Sequence, residues 1–239
     1  MCHPMTSVST APIDRREPWF QAIRWTVFPL LRLWFRWRFD GLERIPMDGP
    51  AIVACNHASY LDPLANAYAV VRAGRRPRFL AKQDLFRAPG IRWAMTGTGQ
   101  IPVARGTGAK GASLVAAERA LARGQIVVVY PEGTVTTRDD GLPMEGKTGT
   151  VRLALATGVP IIPMVSWGSS PVWQKSGPGS LRPGRPVWIR VGEPIELTDR
   201  GASVEDRDAV AALTAELMEV LSREVVDLRA SYPARWAAR

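Results

Sequence analysis

Short apolar runs rich in β-branched residues recur along this chain, separated by stretches long enough for helices. Pro50-Ala51-Ile52-Val53-Ala54-Cys55, Gln125-Ile126-Val127-Val128-Val129-Tyr130 and Val159-Pro160-Ile161-Ile162-Pro163-Met164-Val165 each read as a buried strand. Strands are predicted near 51–55, 78–81, 100–103, 126–130, 161–166 and 187–191. Helices are predicted near 63–73, 85–96, 111–123 and 148–157, with a long amphipathic one from Val204 to about Arg229. Strands alternating with helices imply an α/β fold whose mixed, largely parallel sheet is covered by helices on both faces. A chain of 239 residues with 46% apolar content buries one substantial core. The expected organisation is a polar leader over 1–18, an N-terminal interfacial helical segment over 19–39 and one α/β domain over 40–239.

The first of these strands runs into Asn56-His57-Ala58-Ser59-Tyr60-Leu61-Asp62, so His57 stands at a strand's C-terminal end, where α/β sheets place their sites. Only His3 and His57 exist, and His3 lies in the leader. A neutral imidazole suits proton abstraction near pH 7, and an aspartate accepting the other ring N–H would fix its tautomer. The same residues have a structural reading, with Asp62 as the N-cap of a helix and Pro63 as its first residue. The two are compatible only if the chain turns between them, because five residues of continuous helix rotate through roughly 500° and would separate the side chains. Ser59 is a small polar residue in a turn and needs no catalytic role.

Four ordered blocks, Asn56 to Asp62, Gly99-Gln100-Ile101-Pro102-Val103-Ala104-Arg105, Tyr130-Pro131-Glu132-Gly133-Thr134 and Val159 to Pro163, resemble the glycerolipid acyltransferase family. The resemblance covers roughly residues 38–195. It implies transfer of an acyl group from a thioester carrier to the free hydroxyl of 1-acyl-sn-glycerol 3-phosphate, with His57 as general base and Asp62 orienting it. The nucleophile is then the substrate's hydroxyl, and no protein nucleophile is needed. The acceptor's phosphate would be held by Arg105, with Glu132, Gly133, Thr134 and Lys147 around it. Arg105 suits that anion because a guanidinium donates two parallel hydrogen bonds. The Glu132 carboxylate is expected to brace arginines or backbone donors. Val159, Pro160 and Pro163 belong to the block assigned an acyl-site or structural role. The chain departs from the family pattern where Tyr130 replaces phenylalanine and where Val135-Thr136-Thr137 precede Arg138.

The implied co-substrate is acyl-CoA or acyl-ACP, with no bound cofactor. No metal set can be assembled from one histidine and one buried cysteine. Cys2 and Cys55 are too few for a disulfide framework, which implies a reducing compartment. The leader lacks the apolar centre of a secretory signal. A net charge of +9 suits an anionic membrane surface and phosphate-bearing substrates, and no nucleic-acid motif accompanies it. Between Arg72 and Arg92 seven basic residues stand against one acid, Asp84, and predict a cationic face.

Residues 19–39 interleave aromatic side chains with Arg24, Arg32, Arg36 and Arg38. Arginines interrupt the stretch too often for a membrane span, but aromatic rings with snorkelling arginines suit the headgroup interface. One or two helices lying in the bilayer surface, kinked at Pro29, are expected, or else a lid packed on the core. The expected location is the cytoplasmic face of the cell membrane. A sibling acyltransferase using glycerol 3-phosphate or another lyso-lipid, and a non-catalytic lipid-binding protein of the same fold, are the alternatives.

Overall fold

The structure is a computed structural model that describes residues 18–103 and 109–237. Its seven-stranded sheet has the order β1-β9-β6-β2-β5-β3-β4. The strands are β1 (Phe35–Asp40), β2 (Ala51–Cys55), β3 (Pro77–Lys82), β4 (Ile101–Val103), β5 (Ile126–Val129), β6 (Ile161–Trp167) and β9 (Arg185–Val191). Strands β6, β2, β5, β3 and β4 pair in parallel, whereas β9 runs antiparallel to β6 and carries β1 parallel to itself. The mixed, largely parallel sheet expected from the sequence is the sheet found.

Alternate residues of the central strands enter two separate cores. Ile52, Ala54, Val127 and Val129 face α4 (Ala109–Ala122), α5 (Gly149–Thr157) and α6 (Arg207–Ala230). Ala51, Val53, Cys55, Ile126 and Val128 face α2 (Asp62–Arg72), with Leu31 of α1 (Pro18–Trp34) packed at the edge. Because both faces are covered, these strands have no wet side, which explains their uninterrupted apolar sequence. Helix α6 starts where Asp206 accepts hydrogen bonds from the amides of Asp208 and Ala209.

Three expectations need correction. The segment 19–39 is helical only as far as Trp34. Phe35-Arg36-Trp37-Arg38-Phe39-Asp40 has a period of two and forms edge strand β1, its aromatic residues turned to the core, where Trp37 and Phe39 meet Tyr68 of α2 edge to face. The helix expected over 85–96 is instead a 3₁₀ turn at Gln83–Phe86 and a short α3 (Arg92–Gly97). Pro89-Gly90 interrupts it, with Gly90 at φ 83°. Trp167 to Arg185, whose several glycines and prolines read in sequence as a surface loop, includes buried Ser169 and a small hairpin of β7 (Trp173–Gln174) and β8 (Gly177–Pro178).

Helix α1 is neither wholly free nor wholly a lid. Phe20 and Phe28 are buried, Phe28 against Tyr68, while Trp25 and Leu33 are 71% and 83% exposed. Among the described residues no helix is long and apolar enough to cross a membrane. The cationic face expected over 72–92 is partly internal. Arg75 is buried and donates to the carbonyls of Pro46, Gly49 and Gly124, and buried Arg78 donates to that of Thr98. Arg76 lies over the Phe20 ring and Lys82 pairs with Asp84.

Candidate active site

Strand β2 is the middle strand of the sheet, and the chain leaving it turns sharply through residues 56–61 before α2 begins. Asn56 bridges to β6 like an added strand residue: its Oδ1 accepts from the Ser166 amide at 2.8 Å and its Nδ2 donates to the Ser166 carbonyl at 3.1 Å. His57 is then fixed through its own backbone. Its N–H donates to Glu132 Oε1 at 2.8 Å, and its carbonyl accepts from the Thr136 amide at 2.7 Å. The segment after β5 therefore holds His57 at both polar groups of its main chain.

Asp62 is fully buried and is the first residue of α2, with Leu61 in the cap position. The expected N-cap role is thus corrected: the carboxylate reaches backward instead of into its helix. Asp62 Oδ2 accepts from the amides of Ala58 at 2.6 Å and Ser59 at 2.7 Å, and lies 3.3 Å from His57 Nδ1. Oδ1 accepts from Ser169 Oγ at 2.5 Å and from Ser166 Oγ at 3.4 Å. A buried carboxylate requires such donors, and here a tight turn supplies two of them. With Nδ1 turned to Asp62, His57 Nε2 makes no hydrogen bond among the described residues, and the imidazole is 12% exposed. Ser59 is fully buried, its hydroxyl donating to the Trp173 carbonyl and accepting from the Leu61 amide. That arrangement accounts for the residue structurally.

Tyr130 stacks on the imidazole, with centroids 4.2 Å apart and planes 24° from parallel. Burial pushes its phenol well above the usual value, so the group stays neutral, and its oxygen accepts from Asn66 Nδ2 at 3.0 Å. The stacked ring is common to tyrosine and phenylalanine, so the departure at 130 leaves this contact in place. Burial likewise raises Glu132 to about 7, against the amide bonds from Met144 and His57 that pull it down. Glu132 Oε2 accepts the Met144 amide at 2.9 Å.

Gly133 has φ 69°, and a Cβ there would stand 2.5 Å from Lys147 Nζ, so the Lys147 side chain lies across the Glu132-Gly133-Thr134 turn. The Lys147 amide donates to the Pro131 carbonyl. The structure therefore gathers His57, Asp62, Glu132, Gly133, Thr134 and Lys147 at one end of the sheet. Arg105 lies outside the described residues. Val159 and Pro160 are at the opposite end of β6, level with the start of β2, and Pro163 is buried in mid-strand. These three support the sheet and do not reach His57. The sequence reading missed Ser166 and Ser169, which hold Asp62 from more than a hundred residues away. No local pattern marks them.

A covered, largely parallel sheet carries an imidazole and a buried carboxylate paired just beyond its central strand, the position where α/β folds place their sites. The sequence pattern described as Acyltransferase matches residues 36–167. The chain belongs to the acyltransferase family. It is 29% identical over 189 residues to a chloroplastic 1-acyl-sn-glycerol-3-phosphate acyltransferase of Arabidopsis thaliana, which covers 77% of this chain and 50% of that protein. It thus spans half the length of that relative. The 1-acyl-sn-glycerol-3-phosphate acyltransferase of Bacillus subtilis is 26% identical over 186 residues, covering 78% of this chain and 84% of that one. The crystal structure of the 1-acyl-sn-glycerophosphate (LPA) acyltransferase PlsC from Thermotoga maritima is similar with a TM-score of 0.63 and 26% identity, over 91% of this chain and 79% of that chain.

Proposed function

We propose that this protein transfers a fatty acyl group from an acyl thioester, acyl-CoA or acyl-ACP, to the free hydroxyl of 1-acyl-sn-glycerol 3-phosphate, giving phosphatidic acid in phospholipid biosynthesis. The observation that carries the reading is the His57–Asp62 pair, 3.3 Å apart, at the C-terminal end of the central strand. The relatives' names supply the acceptor. His57 Nε2 takes the hydroxyl proton as that oxygen attacks the thioester carbonyl. Asp62 stabilises the imidazolium, assisted by the face of the Tyr130 ring. The tetrahedral intermediate then collapses, the C–S bond breaks, and the thiolate recovers the proton from His57. Lys147 and the Glu132-Gly133-Thr134 turn stand beside this pair, where they suit the acceptor's phosphate together with Arg105. Glu132, bonded to two amides, acts on the reaction by holding His57 in place.

The proposed acceptor is a membrane lipid, and the exposed Trp25, Leu30 and Leu33 of α1 suit contact with a bilayer on the cytoplasmic face of the cell membrane. The test is turnover of an acyl thioester with lysophosphatidic acid, glycerol 3-phosphate and other lyso-lipids as acceptors. Turnover is expected to be highest on lysophosphatidic acid and to fall about 10²- to 10⁴-fold in His57→Ala. Unchanged turnover in that variant would refute the mechanism, and preference for another acceptor would refute the substrate.

A further inference from the structure

Strand β9 opens beside a cleft of 340 Å³ lined by Arg36, Arg182, Pro183, Gly184, Arg235 and Trp236. Three arginines and no acid line it. Arg185 adjoins it from within the fold, its guanidinium carbon 4.9 Å from the centroid of the Trp236 ring. Arg185 is 6% exposed, and its Nε and Nη1 are buried without a hydrogen-bond partner among the described residues, as is Trp236 Nε1. None of the four arginines is ion-paired among the described residues. Buried donors without acceptors are costly, and guanidinium and indole nitrogens can only donate. What completes such a set is an oxyanion, and arginines favour the tetrahedral oxygens of a phosphate.

The cleft's neighbours say which phosphate. The Gly184 amide donates to the Trp34 carbonyl, and Trp34 Nε1 donates to the Leu181 carbonyl, which ties the cleft to the end of α1. There Leu33, Trp34 and Leu181 are 83%, 44% and 62% exposed. An apolar rim beside an anion cradle is the arrangement a lipid presents in reverse, with acyl chains below its phosphate. The cleft is separate from the acyl-transfer site. Strand β9 lies two strands from β2, about 10 Å at about 4.8 Å per strand, on the side away from β5 and Glu132. Most of its residues also fall outside the 36–167 that the family pattern matches.

We propose that Arg36, Arg182, Arg185, Arg235 and Trp236 form a headgroup site for the phosphate of an anionic membrane lipid that is not a substrate, anchoring the active-site end of the sheet at the bilayer. The proposal rests on the membrane-surface reading above, and the test separates the two. Binding is measured by co-sedimentation with phosphatidylcholine vesicles, with and without a phosphatidylglycerol fraction, for the wild-type chain, Arg182→Gln/Arg235→Gln and a control of equal charge, Arg207→Gln/Arg223→Gln. The control residues sit on α6, on the other face of the sheet from α1. The cleft pair is expected to weaken binding to anionic vesicles about thirtyfold, each arginine near the surface being worth about fivefold, and the control less than about threefold. All four substituted side chains are exposed, so thermal midpoints should match the wild type. Equal losses in both pairs, or none in the cleft pair, overturn the site. No preference of the wild type for anionic vesicles overturns the membrane reading itself. If inorganic phosphate binds the wild type by calorimetry and the cleft pair abolishes that while vesicle binding stays intact, the ligand is free phosphate and the lipid assignment is wrong.

Discussion

Replacing Asp62 by asparagine tests the proposed chemistry while keeping the turn. In Asp62→Asn the amide oxygen can still accept from the Ala58 and Ser59 amides, and the new NH₂ group faces Ser166 and Ser169, whose hydroxyls rotate to accept. What disappears is the negative charge 3.3 Å from His57 Nδ1. An imidazolium and a carboxylate at that distance attract by about 5 kcal/mol at an effective dielectric of about 20. The carboxylate is already shared among two amides and two serine hydroxyls, which brings the part specific to the imidazolium to about 3–4 kcal/mol. At 1.36 kcal/mol per decade, turnover should fall about 10²- to 10³-fold. Stability should fall only about 1–2 kcal/mol, the difference between charged and neutral hydrogen bonds to the same donors.

Asp62→Ala supplies the contrast. It strands the Ala58 and Ser59 amides in a fully buried position and should cost about 3–5 kcal/mol of stability. The assay follows release of the carrier thiol at saturating acceptor, beside urea unfolding of each variant. Asp62→Asn within about tenfold of wild-type turnover, with a normal unfolding midpoint, would show that the carboxylate only shapes the turn.

Glu132, raised to about 7 from an ordinary 4.5, binds its proton more tightly in the folded chain than in the unfolded one, so its contribution to stability is full below pH 4.5 and is lost as pH rises through 7. That loss amounts to about 3 kcal/mol, and Glu132→Gln should remove it from unfolding free energies measured across this range. A slope unchanged in the variant would assign the pH dependence elsewhere. Tyr130→Phe keeps the ring stacked on His57 and should leave turnover within about threefold, whereas Tyr130→Ala should lower it about tenfold as the imidazolium loses its aromatic face. Equal effects of the two would tie the role to the hydroxyl. Arg75→Met deprives the carbonyls of Pro46, Gly49 and Gly124 of their buried donor and should destabilise by about 2–4 kcal/mol without changing turnover in the folded fraction, as denaturant titration would show.

The strands of the sheet centre were legible because β-branched runs buried on both faces have few other uses. The edge strand at 35–40 was not, although its period of two is plain in Phe35-Arg36-Trp37-Arg38-Phe39-Asp40. Aromatic and arginine residues continue from the helical period of α1 without a break in composition, so the change of period at Phe35 was hidden under a constant chemistry. Arg75 and Arg78 misled for the opposite reason. A run of charges reads as a solvated face, yet backbone carbonyls at Pro46, Gly49, Gly124 and Thr98 converge on these two from distant parts of the chain. The His57–Asp62 pair was readable from one block of seven residues, but its supports were not. Ser166, Ser169 and Thr136 are ordinary polar residues until the sheet places them.

The spacing of that pair follows from hydrogen-bond geometry as much as from catalysis. A carboxylate that accepts the amides three and four residues before it closes a turn over its own N-terminal side, and the residue just beyond that turn is the one five back. Asp62 therefore reaches His57 because it is satisfying Ala58 and Ser59, and the same bonds keep a buried negative charge affordable in the apolar core. Pro63 directs α2 away immediately afterwards, so the carboxylate is not drawn into capping its own helix. One residue inserted between Ser59 and Asp62 would preserve neither set of contacts: the oxygen that still found two amides would no longer face the imidazole. A turn and a charge relationship with His57 are thus one constraint, which is why a seven-residue block could announce the site before any of its distant supports were visible.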